Sequence, residues 1–228
     1  MSAGLGRLIG EVGAVLFDFD GPVCSIFARY PAPKVAAELV DVLRRHGVDV
    51  PPDLASEPDP LEVLRRIGAA GDHGITRAVE DALCAAERRA VETAEPTPYG
   101  REAIVAARQA ALPVAVVSNN SPGAVGAYLA SHRLAGHVSP VVGRAYADPV
   151  QMKPNPEPIL QAVRALGVSP DRCVLVGDSL SDLEGARAAG VWVVGYANRP
   201  PKVEAFGSAG ADAVITSMSE LATALIQK

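Results

Sequence analysis

The sequence predicts an α/β fold built on an open parallel sheet with helices on both faces. From residue 99 onward, short apolar runs alternate with helical patterns, which favours parallel strands joined by crossover helices. An earlier run, residues 14–17, is continuously apolar, as in a strand that is buried on both faces of a sheet. One interval, residues 22–98, is far longer than a parallel crossover needs and therefore indicates an insertion.

The remaining elements of the sheet can be read in order along the chain. After residues 14–17, further apolar runs predict strands at 113–117, 141–142, 173–176, 191–194 and 213–215. Helix starts are predicted where a capping residue precedes a proline or an acidic residue three positions on. These starts are Ser121 with Pro122, Asn155 with Pro156, and a capping box of Ser181 with Glu184.

The insertion has helical patterns of its own at 35–45, 61–67 and 75–91. Residues 51–60 are a proline- and acid-rich connector, residues 95–98 resemble a hinge, and 99–111 supply the crossover helix that leads back to the sheet. We therefore predict an α/β catalytic core of residues 1–21 and 99–228, with a small helical cap formed by residues 22–98.

Composition excludes several classes of protein. With 49% hydrophobic and 21% charged residues, the chain has the composition of a soluble globular protein. A net charge of −5 and 4% aromatic residues argue against nucleic-acid binding, since there is neither a positive field nor a set of stacking platforms. The three scattered cysteines, Cys24, Cys84 and Cys173, form no C-x-x-C pair and predict reduced thiols.

No apolar run approaches the ~20 residues that span a bilayer, and the first residues lack a signal-peptide pattern. We therefore expect a cytoplasmic protein with no membrane partner, acting as a monomer.

Polar residues follow three of the predicted strands. They are Asp18-Phe19-Asp20-Gly21, Ser118-Asn119-Asn120 and Gly177-Asp178-Ser179. Each motif alone is typical of a turn or a helix cap. Ligands of open α/β sheets bind at the carboxyl ends of the strands, however, so the shared position predicts one site.

The charges of that site indicate its ligand. Asp18, Asp20, Asp178 and Asp182 would crowd carboxylates into one cleft, which a hard cation such as Mg²⁺ relieves. Lys153 is the natural positive complement. Ser118 and the backbone N–H of Asn119 lie at a predicted helix start, where phosphate oxygens are favoured.

These residues resemble a known family. Asp18-Phe19-Asp20-Gly21, Ser118-Asn119, Lys153-Pro154-Asn155-Pro156 and the run 177–182 look like the four ordered motifs of the haloacid-dehalogenase-like hydrolases. The branch most similar is that of phosphoglycolate phosphatase and β-phosphoglucomutase, with a Rossmann-like core and a helical cap after the first motif. The chain departs from the family at Pro22, where Thr is usual, and at Ser25-Ile26, where Asp-Ser is frequent.

The resemblance implies a Mg²⁺-dependent phosphatase acting on a small phosphorylated metabolite. It implies that Asp18 is the nucleophile and that Asp20 is the general acid and base, a role requiring a pKa nearer neutrality than that of a free Asp. Ser118, Asn119 and Lys153 would bind phosphate. The expected metal ligands are Asp18, the carbonyl of Asp20, and Asp178.

Asp182 is expected to support the metal indirectly, and a plain first-turn helix residue is an equally good interpretation of it. On the cap, Arg29, Lys34, Arg44, Arg45 and His46 are candidate substrate contacts, with a solvated helix face as the better interpretation for most of them.

Two other functions stay open. A phosphomutase would use the same nucleophile, with Asp20 assisting return of the phosphate to a sugar. A non-catalytic phosphate-binding or interaction module would keep the fold without turnover. The Asp at position 20 argues against a dehalogenase, because a halide leaving group needs no proton.

Overall fold

The computed structural model describes residues 3–228, and its centre is a sheet of six parallel strands in the order β5-β4-β1-β6-β7-β8. The strands of this sheet are β1 (Ala14–Phe17), β4 (Val114–Val117), β5 (Val141–Val142), β6 (Cys173–Gly177), β7 (Trp192–Tyr196) and β8 (Ala213–Ile215). β1 lies between β4 and β6, so the strand order reverses beside it. In open sheets such a reversal opens a crevice at the carboxyl ends of the strands.

Helices cover both faces of this sheet. They are α1 (Ala3–Glu11), α6 (Gly100–Gln109), α7 (Pro122–Ser131), α8 (Glu157–Leu166), α9 (Leu180–Ala188), α10 (Pro201–Ser208) and α11 (Met218–Ile226). Alternate residues of β1 face opposite cores: Val15 and Phe17 pack with α1, α6, α7 and α11, whereas Ala14 and Leu16 pack with α8, α9 and α10. This is why the whole strand is apolar.

The segment between β1 and β4 forms a helical unit of its own. Its helices are α2 (Ala32–Arg45), α3 (Pro52–Ala55), α4 (Pro60–Ala69) and α5 (His73–Val91). They surround a separate hydrophobic cluster that includes Leu39, Leu64 and Leu83. Two short antiparallel strands, β2 (Cys24–Ser25) and β3 (Glu95–Pro96), pair where the segment leaves the sheet and returns to it.

The α/β fold with its parallel sheet, predicted from alternating patterns, is confirmed. All six predicted strands form, three with the predicted bounds and three with ends that differ by one or two residues. The hinge predicted at 95–98 contains β3, and the connector at 51–60 contains α3. Within the described residues, no helix combines the length and the apolar character needed to cross a membrane.

Candidate active site

Three loops meet at the carboxyl ends of adjacent strands. Asp18 follows β1, Ser118 follows β4 and Asp178 follows β6, and β1 is the middle strand of the three. Neighbouring strands are about 4.8 Å apart, so side chains at their ends can meet on one small ligand. The sheet order thus brings together motifs that are far apart in the sequence.

Lys153 is the centre of the site. Its side chain is 2% exposed, and Nζ donates to Oδ1 of Asp18 at 2.8 Å and to Oδ1 of Asp182 at 2.6 Å. The carbonyl oxygen of Val117, at the end of β4, accepts the third hydrogen bond at 2.9 Å. All three ammonium donors are used, which makes burial of this charge tolerable.

Asp182 is fully buried in the first turn of α9. Its Oδ2 accepts from Oγ of Ser179 at 2.7 Å and from the Ser179 backbone N–H at 3.1 Å, which forms a capping box. The capping box predicted at Ser181 and Glu184 is therefore wrong by two residues: Ser179 is the N-cap. With Oδ1 bonded to Lys153, both oxygens of Asp182 are occupied, and its contact with the site runs through the lysine.

Asp178 is held from the other side by residues that the sequence patterns did not single out. Its Oδ2 accepts from Nζ of Lys202 at 2.6 Å and from Nδ2 of Asn198 at 2.9 Å. Close contact with the first motif requires Gly21, since a Cβ there would lie 2.4 Å from the Asp178 carboxyl carbon, and its φ of +116° favours glycine. The signal available for Lys202 was the scarcity of lysine in the chain.

Asp20 lies in the same cleft, with Oδ1 accepting from the Ile26 backbone N–H at 2.9 Å. Burial raises the pKa of Asp20 to about 6, against a smaller lowering by that hydrogen bond. A carboxyl group with this pKa can both donate and accept a proton near neutrality.

The pKa of Asp18 is raised well above its ordinary value, chiefly by burial and then by the nearby Asp182, although Lys153 opposes the shift. For Lys153, burial acts to lower the pKa, but the carboxylates of Asp18 and Asp182 outweigh it and the pKa is raised. The lysine therefore stays charged, and the carboxylates around it are in electrostatic excess.

Ser118 and Asn119 line the cleft at the end of β4. The Asn119 side chain is already engaged with the Lys153 backbone: Oδ1 accepts from its N–H at 2.9 Å and Nδ2 donates to its carbonyl oxygen at 3.2 Å. It fixes the loop that contains Lys153 (the lysine loop) against the end of β4. That Ser118, Asn119 and Lys153 bind phosphate stays a prediction.

A family model described as haloacid dehalogenase-like hydrolase matches residues 12–190, which contain all four motifs. The chain belongs to this family.

Part of this chain is similar to proteins of known name. Phosphoglycolate phosphatase of Escherichia coli K12 is 31% identical over 129 residues, which are 56% of this chain and 50% of that protein. The chain spans about half the length of the curated relatives it matches.

Solved structures are similar to this chain over most of its length. A hydrolase from Pseudomonas syringae gives a TM-score of 0.70 at 18% identity, covering 94% of this chain and 98% of that one. β-Phosphoglucomutase from Clostridium difficile gives 0.66 at 15% identity, covering 95% and 100%. At these identities the likeness concerns the fold, and it agrees with the parallel sheet described above.

Three carboxylates of the cleft fit a hard divalent cation. One oxygen from each of Asp18, Asp178 and Asp182 lies within 4.8 Å of the others. Oxygen ligands of this kind suit Mg²⁺. Both oxygens of Asp182 already accept hydrogen bonds from Lys153 or Ser179, so Asp18 and Asp178 are better placed than Asp182 to coordinate an ion.

The cleft has a volume of about 410 Å³ and is bordered by the helical unit as well as by the sheet. None of the five candidate contacts named from the sequence lines it. Arg29 pairs with Glu95, Arg44 with Asp41, and Lys34 lies over the ring of Tyr30. Arg45 and His46 likewise lie outside the lining.

Arg65 of α4, in the helical unit, lines the cleft instead. Its Nη2 donates to the Lys153 carbonyl oxygen at 3.2 Å, and its side chain is 32% exposed. The sequence offered no reason to prefer this arginine over its neighbours. It reaches the cleft because α4 packs against the loop that contains Lys153.

Cys24 is buried in the core, and burial raises the pKa of its thiol far above the ordinary value. A thiol in this state is not a nucleophile at neutral pH.

Proposed function

We propose that this hydrolase is a Mg²⁺-dependent phosphatase that hydrolyses a small phosphate monoester through an aspartyl-phosphate on Asp18. One observation carries the proposal: a carboxylate held by a buried lysine shares its cleft with a second carboxyl group whose pKa is about 6. A nucleophile beside a proton donor is what cleavage of a phosphate ester requires.

In the first step, one oxygen of Asp18 attacks phosphorus and the bond to the leaving alkoxide oxygen breaks. Lys153 occupies Oδ1, so Oδ2 is the attacking atom. Asp20 is protonated at this point and gives its proton to the leaving oxygen. Lys153 offsets negative charge on the nucleophile and on the phosphoryl oxygens as they approach.

In the second step, Asp20 is ionised and removes a proton from water, which attacks the phosphorus of the aspartyl-phosphate. The bond to Asp18 breaks, and inorganic phosphate is released. Ser118 and the Asn119 backbone N–H orient the phosphoryl oxygens in both steps. When bound, Mg²⁺ would be held by Asp18, the Asp20 carbonyl and Asp178, and it would supply charge neutralisation to the phosphate.

We also propose the division predicted from the sequence, with residues 1–21 and 99–228 as the catalytic core and 22–98 as a cap. The position of Arg65 supports it, because a cap side chain reaches the cleft from outside the sheet. Arg65 is then the cap residue that contacts the non-reacting part of the substrate. A cleft of about 410 Å³ suits a small metabolite.

The experiment is hydrolysis of para-nitrophenyl phosphate with Mg²⁺, with a chelator in its place, and by the Asp18→Asn variant. We expect chelation to abolish turnover and the substitution to lower kcat on the order of 10⁴-fold, because it removes the nucleophile. Asp53→Asn, an exposed carboxylate of α3 with a 69% exposed side chain, is the matched control and should leave kcat unchanged. Activity that survives both chelation and Asp18→Asn contradicts the proposal.

Product analysis with a hexose 1-phosphate separates hydrolysis from phosphoryl transfer to a second sugar position. Release of free phosphate supports the phosphatase. An isomerised sugar phosphate without free phosphate would replace it with the mutase.

A further inference from the structure

A second cluster of buried charges lies outside the cleft, between the cap helix α5 and the core. It consists of Glu80 and Glu87 on α5 and Arg144, which follows β5, and their side chains are at most 1% exposed. Arg144 donates from Nε to both oxygens of Glu80 at 3.0 Å, from Nη2 to Glu80 at 2.7 Å, and from Nη1 to Glu87 at 2.8 Å. None of the three residues belongs to the four motifs.

This cluster is bonded directly to the loop that follows β4. Nη1 of Arg144 donates to the Asn119 carbonyl oxygen at 2.6 Å, and the Arg144 backbone N–H donates to the Asn120 carbonyl oxygen at 2.8 Å. Glu87 accepts from Nδ2 of Asn120 at 3.1 Å and from the Ser121 N–H at 2.8 Å. Three consecutive residues of the loop are thus held by the same ion pair.

The contacts continue to the cleft. Oδ1 of Asn120 accepts from Oγ of Ser118 at 3.2 Å, and Oγ of Ser118 accepts from the Asn120 N–H at 3.0 Å. A change at Glu87 therefore reaches the Ser118 hydroxyl through a single intervening side chain.

Charge explains why the cluster tolerates two carboxylates and one guanidinium. The excess negative charge of Glu87 faces the N-terminus of α7, where Ser121 is the N-cap and the helix dipole favours an anion. The hydroxyl of Ser121 makes no capping bond and has no hydrogen-bond partner among the described residues, so Glu87 takes the place of the usual cap.

Every group that faces Glu87 is a donor, namely Asn120 Nδ2, Ser121 N–H and two Arg144 nitrogens. An amide at this position would direct an N–H at another donor, whichever way it was turned. An ionised carboxylate is the side chain that satisfies all of them.

We propose that Glu87 and Arg144 are positioning residues for the loop at 118–121, so that the cap helix α5 sets the geometry of Ser118 and Asn119. What the loop then binds rests on the proposed function, which takes Ser118 and the Asn119 N–H as phosphate ligands. The contacts that hold the loop do not depend on the proposed function.

Glu80 provides a matched control on the same helix. Like Glu87, it is buried and paired with Arg144, but its other hydrogen bond is to Sγ of Cys84 and none goes to the loop. A purely structural role predicts similar consequences for Glu80→Gln and Glu87→Gln. A positioning role predicts that Glu87→Gln alone disturbs phosphate binding.

The test compares both variants with the parent by inhibition with inorganic phosphate, by KM and kcat for para-nitrophenyl phosphate, and by unfolding in urea. For Glu87→Gln we expect a loss of about tenfold or more in phosphate affinity and in kcat/KM, since small displacements of a binding group have effects of this size. Glu80→Gln should stay within about twofold of the parent. Equal losses in the two variants, or losses that follow their unfolding free energies, overturn the proposal.

Two further measurements keep the outcome decisive. If Glu87→Gln does not fold, Asn120→Ala is measured instead, because it removes the side-chain link between Glu87 and Ser118 and keeps both ion pairs of Arg144. The loss of phosphate affinity and of kcat/KM expected for Glu87→Gln then applies to Asn120→Ala. If the parent neither turns over nor binds phosphate, the proposed function fails, but amide hydrogen exchange still tests the positioning. Faster exchange at Asn120 and Ser121 in Glu87→Gln and not in Glu80→Gln supports it, and unchanged exchange overturns it.

Discussion

The protein contains two buried clusters in which a single cation faces carboxylates, and they differ in how completely they are satisfied. In the cleft, Lys153 pairs with Asp18 and Asp182 while Asp20 and Asp178 lie nearby. Between α5 and the core, Arg144 pairs with Glu80 and Glu87, and no other carboxylate of residues 3–228 forms an ion pair with it. Both cations are at most 3% exposed.

The cluster of Glu80, Glu87 and Arg144, which we call the closed cluster, makes its hydrogen bonds within the protein. Glu87 is met by donors on all sides, including the start of a helix, so that its charge is neutralised within the protein. In the cleft cluster, burial raises the pKa of Asp18 and Asp20, and the excess of carboxylates raises it further. This excess leaves oxygens for a cation. The difference teaches that burial of charges does not mark an active site, whereas an unneutralised excess that opens to a cleft does.

The largest expected difference between the clusters is the effect of removing the cation. Arg144→Met leaves two buried carboxylates without a cation and should lower the free energy of unfolding by about 3–5 kcal/mol. Lys153→Met should cost at least ~1 kcal/mol less, because Asp18 faces the cleft and can take up a proton instead. Urea unfolding at pH 7 measures both, and equal losses would mean that the two clusters are energetically alike.

A smaller effect of opposite sign is expected at Asp20. Its pKa rises from 3.8 to about 6 on folding, so the unfolded chain loses this proton first. Stability is therefore unaffected below about pH 4, falls as pH rises through this window, and is lower by up to about 3 kcal/mol above pH 6. Asp20→Asn removes the penalty and should stabilise the protein at pH 7 in the presence of a chelator, although it abolishes proton transfer.

Urea unfolding of Asp20→Asn at pH 4 and pH 7 checks this expectation. Glu87→Gln makes the corresponding change in the closed cluster, and its free energy of unfolding should be lower than that of the parent at both pH values. If Asp20→Asn does not raise the free energy of unfolding at pH 7, the excess negative charge in the cleft is already compensated.

The smallest effect is expected at Arg65, which contrasts with Arg144. The donors of Arg144 are bonded within the protein, whereas Arg65 is 32% exposed at the cleft. Arg65→Ala should raise KM about tenfold for the best substrate of a phosphate-ester panel, with the free energy of unfolding changed by less than ~1 kcal/mol. Arg66→Ala, on the same helix and paired with Asp53, is the control. Unchanged KM in Arg65→Ala would remove it from the substrate contacts.

Sequence patterns were sufficient for the sheet because the signals are local. The run 14–17 is apolar on both faces, and the structure shows that its two faces pack against different cores. The helix start at Ser121 was also predicted, since a cap followed by proline is a short-range signal. The capping box was misplaced because Ser179 and Ser181 both have an acidic residue three positions on, and the buried Lys153 selects Asp182.

Contacts between side chains on different elements could not be predicted in this way. Arg65, Lys202 and the Glu80–Glu87–Arg144 cluster lie on elements whose sequences are typical of solvated helices and loops. Their partners are more than twenty residues away in the chain, as with Arg65 and Lys153 or Lys202 and Asp178.

By itself, the sequence determined the parallel sheet and the four motifs at its edge, because strand burial and the residues at strand ends depend on consecutive positions in the chain. Tertiary structure alone decided which charges are neutralised and which are left in excess. The reason is that neutralisation depends on distances of about 3 Å between side chains on different elements. Those distances are fixed only when the strand-end loops meet at the edge of the sheet and α5 packs against the core.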